Sequence, residues 1–126
     1  MGAGTDLGRV RGLGAAKEGV HHWWLQRVTA VANLALMLWF VASLARLPAL
    51  DYASVTLWLR QPVAAVPMLL MVISVFWHMR LGVQVFIEDY LQGTRRMVAM
   101  LALNFYASAG AAAGMFAVLK IAFAAA

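Results

Sequence analysis

The chain contains no cysteine. That absence excludes disulfides, a thiolate-held iron–sulfur cluster, covalent c-type haem attachment and a cysteine-based zinc site on this chain. Charge is scarce too: 12% of the 126 residues are charged against 64% hydrophobic, too little polar surface to wrap a soluble globule of this size. A lipid bilayer is the natural solvent. The formal net charge of +5 does not indicate nucleic acid, because the ten Lys and Arg sit at the ends of apolar segments rather than in one patch or stripe. The first 20 residues are rich in glycine and charge and lack an apolar h-region, so they do not resemble a cleaved secretory signal. A flexible cytoplasmic tail over residues 1–20, ordering only on contact with something else, is expected there. There is no internal repeat, nor the inverted symmetry of transporters.

What is present is three uncharged stretches. Val28 to Ala45 is 18 residues, Gln61 to Met79 is 19 and Met97 to Leu119 is 23, each near the ~20 needed to cross the hydrocarbon core. An all-α membrane protein of three transmembrane helices follows, an anchor domain over residues 21–126 with spans at about 26–47, 62–88 and 96–120. The second span extends past Arg80 because Leu81, Val83, Val85, Phe86 and Ile87 stay apolar and no breaker precedes Gly93. Arg80 must then face protein, a haem propionate or headgroups. Pro48 and Asp51 to Arg60 form the first connection, and Glu88 to Arg96 the second. Pro62 suits the first turn of helix two, and Pro67 is expected in its loosely hydrogen-bonded beginning rather than at a kink. The tail through Arg27 holds four Lys and Arg and the second loop with Arg80 holds three, against three on the other side. The positive-inside bias puts the N-terminus in the cytoplasm. Gly110 and Gly114 form a small-xxx-small pair on which another helix can approach closely, although an Ala-rich segment produces that spacing easily by chance.

His78 is the only histidine within a span, and an ionisable side chain at that depth is a functional-site hypothesis by default. At ~100° per residue, Gly82 lies about 40° round the helix from it and Asp89 about 20°, so one stripe runs His78, Gly82, Val85, Asp89. A glycine one turn from a histidine leaves room for a planar macrocycle, and neutral imidazole is a common haem ligand. The alternative is a neutral imidazole bonded to a neighbouring helix. Zinc fits poorly, since His21 and His22 precede helix one and no cysteine is available. If haem is held by two histidines, the second comes from another chain. Asp89 and Tyr90 end the same helix, roughly 16 Å from His78 at 1.5 Å per residue. A phenol there can donate to a quinone carbonyl and a carboxylate can relay protons; an interfacial tyrosine anchor with a solvated acid is equally compatible. Arg27 can pair with a haem propionate, or mark topology alone. Trp23, Trp24, Trp39, Trp58 and Trp77 read as interfacial aromatics, Trp77 adjoining His78.

Two blocks of sequence resemble the small membrane-anchor subunit of succinate dehydrogenase, the smaller chain of cytochrome b in respiratory complex II. The first, Gly19-Val20-His21-His22-Trp23-Trp24-Leu25-Gln26-Arg27-Val28-Thr29-Ala30, is similar to the family's G-x-H…R-x-T-A entry into helix one. The second, His78-Met79-Arg80-Leu81-Gly82 with Glu88-Asp89-Tyr90, is similar to H-x-x-x-G-x6-D-Y. The resemblance covers most of the chain, although helix three adds no distinctive motif and Arg80 is not a fixed feature of the pattern. It implies that His78 is an axial ligand of haem b whose iron takes its other ligand from the larger cytochrome b membrane subunit. It implies that Tyr90 hydrogen-bonds ubiquinone, that Asp89 lies beside that site, and that Arg27 lies near the haem propionates. FAD and iron–sulfur clusters belong to the flavoprotein and iron–sulfur partner subunits. The chain itself does no succinate chemistry, and a bacterial inner membrane, rather than a mitochondrial one, is its expected location. The rivals are the anchor of a fumarate reductase-type complex and a cofactor-free structural or assembly membrane protein.

Overall fold

A computed structural model describes Asp6 and residues 16–124. Four helices follow one another there: α1 (Ala16–Ala45), α2 (Tyr52–Leu59), α3 (Pro62–Tyr90) and α4 (Gly93–Ala122). Three of them, over Gly19–Ala45, Pro62–Tyr90 and Gly93–Ala122, are long and apolar enough to cross a membrane. At 1.5 Å per residue each runs roughly 40–45 Å, beyond the ~30 Å hydrocarbon core, so their ends stand among headgroups and water. The all-helical, three-span class expected from composition is the one observed. The anticipated tail over residues 1–20 falls mostly outside the described residues, but residues 16–20 are already helical. His21 and His22, placed before the first helix by hydropathy alone, therefore lie on α1.

α3 is the central helix, packing on α1 along one side and on α4 along the other, while α2 touches both α3 and α4. The pairs are antiparallel. Thr29 of α1 meets His78, and Gln26, earlier on α1, meets the later Gly82. α3 turns into α4 through Leu91 and Gln92, both extended, and Gly93 at φ 57°. That left-handed value suits a residue without Cβ. Pro62 opens α3 at its first turn, and Pro67 sits within the helix's second turn.

The first connection is not a plain loop. Asp51 caps α2 by accepting a 2.7 Å hydrogen bond from the Ser54 amide, and this bond, with a smaller contribution from the Ser54 side chain, holds the Asp51 carboxyl below its usual value. The cap is legible as Asp51-Tyr52-Ala53-Ser54, but a helix of 8 residues carries too short a period to register against its neighbours. α2 seats Leu59 with Ala65 and Val118, packed by Trp58, Met68, Leu69 and Ile121. Trp58 also stacks on Trp39 with ring centroids 5.7 Å apart. Trp39 and Trp58 thus fasten α2 to α1.

α3 and α4 approach closely where glycine allows it. A Cβ on Gly110 would overlap the Phe76 ring, and one on Gly114 would lie 2.8 Å from Cγ1 of Val72. The small-xxx-small pair packs against this chain's own second span. Elsewhere the apolar side chains point outward: Val31, Leu34, Phe105 and Phe116 are exposed, and no polar or charged residue among those described is fully buried. Such a surface suits a lipid or protein-lined solvent and not water.

Candidate functional site

His78 lies on the α1-facing side of α3, partly buried. Its Nδ1 stands 3.0 Å from Thr29 Oγ1 on α1. One turn earlier, Ser74 Oγ donates a long 3.5 Å contact to the Thr29 carbonyl oxygen. One turn later, a Cβ built on Gly82 would meet only Gln26 Nε2, at an ordinary 3.5 Å. This separates Gly82 from Gly110 and Gly114. Gly110 and Gly114 are required by the chain's own packing, whereas a side chain at Gly82 would be accommodated within it.

Of the stripe anticipated along α3, His78 and Gly82 meet α1 and Val85 lines a groove between the two helices, whereas Asp89 is exposed. That groove is open, about 650 Å³, and lined by His21, His22, Leu25, Arg80, Gln84 and Val85 among others, but not by His78 or Gly82. Arg80 does face protein: its Nε donates to Asn104 Oδ1 of α4 at 2.6 Å, a bridge between the second and third spans. Glu88, on the rim of the same groove, accepts from Gln84 at 3.1 Å and pairs with Arg96 at 3.2 Å.

Asp89 and Tyr90 are exposed at the end of α3. The Tyr90 ring packs on Phe86 with centroids 4.7 Å apart, and Tyr90 and Arg95 line a shallow concavity at the α3–α4 turn. Asp89 does not line it. Arg27 is exposed, its guanidinium 4.7 Å above the Trp23 ring one turn back, a cation–π arrangement. It lies about 200° round α1 from Thr29, so α1 presents Thr29 and not Arg27 to His78. The fold brings His78, Gly82, Thr29 and Gln26 together and leaves Arg27, Asp89 and Tyr90 on outward surfaces.

Thr29 and Gln26 did not stand out from the sequence as site residues. Their signal was a polar stripe on an apolar helix: His22, Gln26, Thr29 and Asn33 follow spacings of four, three and four, the period of one helix face. His22 Nε2, Gln26 Oε1 and Asn33 Oδ1 are buried atoms with no hydrogen-bond partner within the described structure.

No group of three or more His, Asp or Glu among the described residues could hold a metal ion by itself. A haem asks less of one chain: an imidazole within a span and space beside it for the macrocycle. His78 and the unneeded glycine one turn away fit that requirement.

The chain has relatives among known proteins. A family model described as succinate dehydrogenase/fumarate reductase transmembrane subunit matches residues 1–111. A succinate dehydrogenase hydrophobic membrane anchor subunit from Paracoccus denitrificans is 32% identical over 117 residues, covering 93% of this chain and 91% of that one. A protein of the same name from Rickettsia bellii (strain RML369-C) is 35% identical over 88 residues, 69% of this chain and 70% of the other.

Proposed function

Because the chain belongs to the succinate dehydrogenase/fumarate reductase transmembrane subunit family, we propose that it anchors a bacterial succinate dehydrogenase to the inner membrane and contributes half of a haem b site and part of a ubiquinone site. His78 supplies one axial ligand from this chain, and the larger cytochrome b subunit supplies the other. The observation that carries this is the pair His78 and Gly82: a histidine inside a span, beside a glycine that the chain's own packing does not demand. Bound haem would supply a one-electron site between the two membrane subunits.

At the cytoplasmic end of α3, the exposed Tyr90 hydroxyl donates to a quinone carbonyl, and Asp89 supports proton delivery as quinol forms. The Phe86 ring holds the Tyr90 ring from one face. Exposure of both residues supports the reading, since a lipid-soluble substrate must reach them from outside the bundle. Arg27 pairs with a haem propionate after leaving Trp23. With the N-terminus in the cytoplasm, the flavoprotein and iron–sulfur subunits dock on the side that carries α1's start and the α3–α4 turn.

The Thr29 hydrogen bond alone would also satisfy a merely structural histidine, so the spectrum of the complex decides. Replacing His78 with Leu should abolish or alter the b-type Soret band of the purified complex; an unchanged spectrum refutes the ligand. Tyr90→Phe should lower quinone reduction while succinate oxidation with an artificial acceptor persists. Loss of both activities together would indicate failed assembly instead of a quinone contact.

A further inference from the structure

We infer that Thr29 is the positioning residue of the histidine ligand: its hydroxyl selects the His78 tautomer that leaves Nε2 free for iron. This rests on the haem assignment proposed above and adds to it which ring nitrogen binds, and why.

A threonine hydroxyl has one proton and two lone pairs. Thr29 Oγ1 lies 2.7 Å from the Leu25 carbonyl oxygen, the usual O–H···O separation, and 3.0 Å from His78 Nδ1, the usual N–H···O separation. The single proton therefore goes to Leu25, the turn-back bond common for threonine in helices. A second carbonyl, that of Gln26, lies 3.2 Å away on the same side. What Thr29 offers His78 is a lone pair. Nδ1 must then carry hydrogen, and in the neutral imidazole that puts the remaining lone pair on Nε2. The acceptor is fixed in place, because a β-branched side chain tied to its own helix has little χ1 freedom. The Ser74 hydroxyl, one turn from His78, reaches the Thr29 carbonyl at 3.5 Å and helps to hold the two helices in this register.

A hydrogen bond donated by the distal nitrogen makes an imidazole a more basic ligand, and such outer partners commonly matter about 10–100-fold in metal affinity. A more basic ligand favours the ferric state. Thr29 accordingly lowers the midpoint potential of the haem and strengthens its retention.

The test uses the whole purified complex carrying Thr29→Val, which keeps the shape and removes the acceptor, and Thr29→Ser, which restores it. The expected result is a raised haem midpoint potential in T29V, with haem lost about 10-fold more readily or faster, and a potential at the wild-type value in T29S. A fully subunit-containing but haem-free T29V complex also supports the inference. A T29V complex that holds haem with wild-type affinity and potential overturns it, while leaving His78 as ligand intact. If T29V does not assemble, Thr29→Ala, which also removes the acceptor, takes its place: a raised potential or readier haem loss supports the inference, and wild-type potential and retention overturn it. Haem that survives His78→Leu unchanged would instead overturn the ligand assignment, and this inference with it.

Discussion

Adding one methyl group at Gly114 is the sharpest available perturbation of the bundle. The new Cβ would lie 2.8 Å from Cγ1 and 3.5 Å from Cγ2 of Val72. Carbon atoms rest at about 3.5–4.0 Å, so α3 and α4 would have to part by roughly 0.7–1.2 Å at this contact. Val72 cannot yield by turning, because valine in a helix keeps one rotamer about nine times in ten. Overpacking of this kind costs about 1–3 kcal/mol, roughly 5- to 140-fold in the unfolding equilibrium at 1.4 kcal/mol per decade. Alanine's better helix propensity offsets up to ~1 kcal/mol of that, so the contact is isolated by a cycle with Val72→Ala, which removes both γ-methyls. The assay is titration of the purified complex with a denaturing detergent, followed by far-ultraviolet circular dichroism. Gly114→Ala should destabilise the wild-type background and cost much less in the Val72→Ala background, a coupling of about 0.5–3 kcal/mol. Equal cost in both backgrounds would refute the packing argument. Gly110→Ala should cost less than Gly114→Ala despite its deeper overlap, because the offending Phe76 atoms are the far edge of a ring on two rotatable bonds.

The bridge between Arg80 and Asn104 makes a second prediction. Asn104→Leu leaves a guanidinium N–H without its 2.6 Å acceptor and should cost about 1.5–3 kcal/mol, the usual worth of a hydrogen bond to a charged group. Thermal dissociation of the complex reads it, and an Arg80→Leu background should erase most of the loss; additive losses would refute the bridge. The α2 cap predicts a pH effect. The Asp51 carboxyl is held below its usual value chiefly by the Ser54 amide, so its contribution is complete above the unfolded carboxyl pKa and lost as pH falls through the lower folded one. Hydrogen exchange at the Ser54 and Val55 amides should accelerate in acid beyond the intrinsic rate, and Asp51→Ala should remove that dependence. A wild-type response in Asp51→Ala would count against the cap.

Part of the fold and of the site was legible residue by residue. Spans register in sequence because transfer of a helix into lipid sums the preferences of about 20 adjacent residues, with no knowledge of neighbours. His78 stood out for the same reason: its cost in hydrocarbon is local. The α2 helix did not, being short and held by a single cap and by contacts of its own Trp58 and Leu59 with Trp39 and Val118 from distant parts of the chain.

Which side chains meet was decided by tertiary structure. Thr29 and His78 are 49 residues apart, Arg80 and Asn104 are 24 apart, and each pairing depends on the rotation of a whole helix about its axis. Hydropathy cannot set that angle in a span that is apolar on nearly every face. The angle comes from the close approach at Gly110 and Gly114, which settles α3 on α4, and from the polar row of Gln26 and Thr29, which turns α1 toward His78 and Gly82. The sequence alone determined that this chain lives in a membrane and carries a costly histidine there; only packing decided that the histidine is held at Nδ1 by Thr29, because a hydrogen bond between helices needs both of them in place.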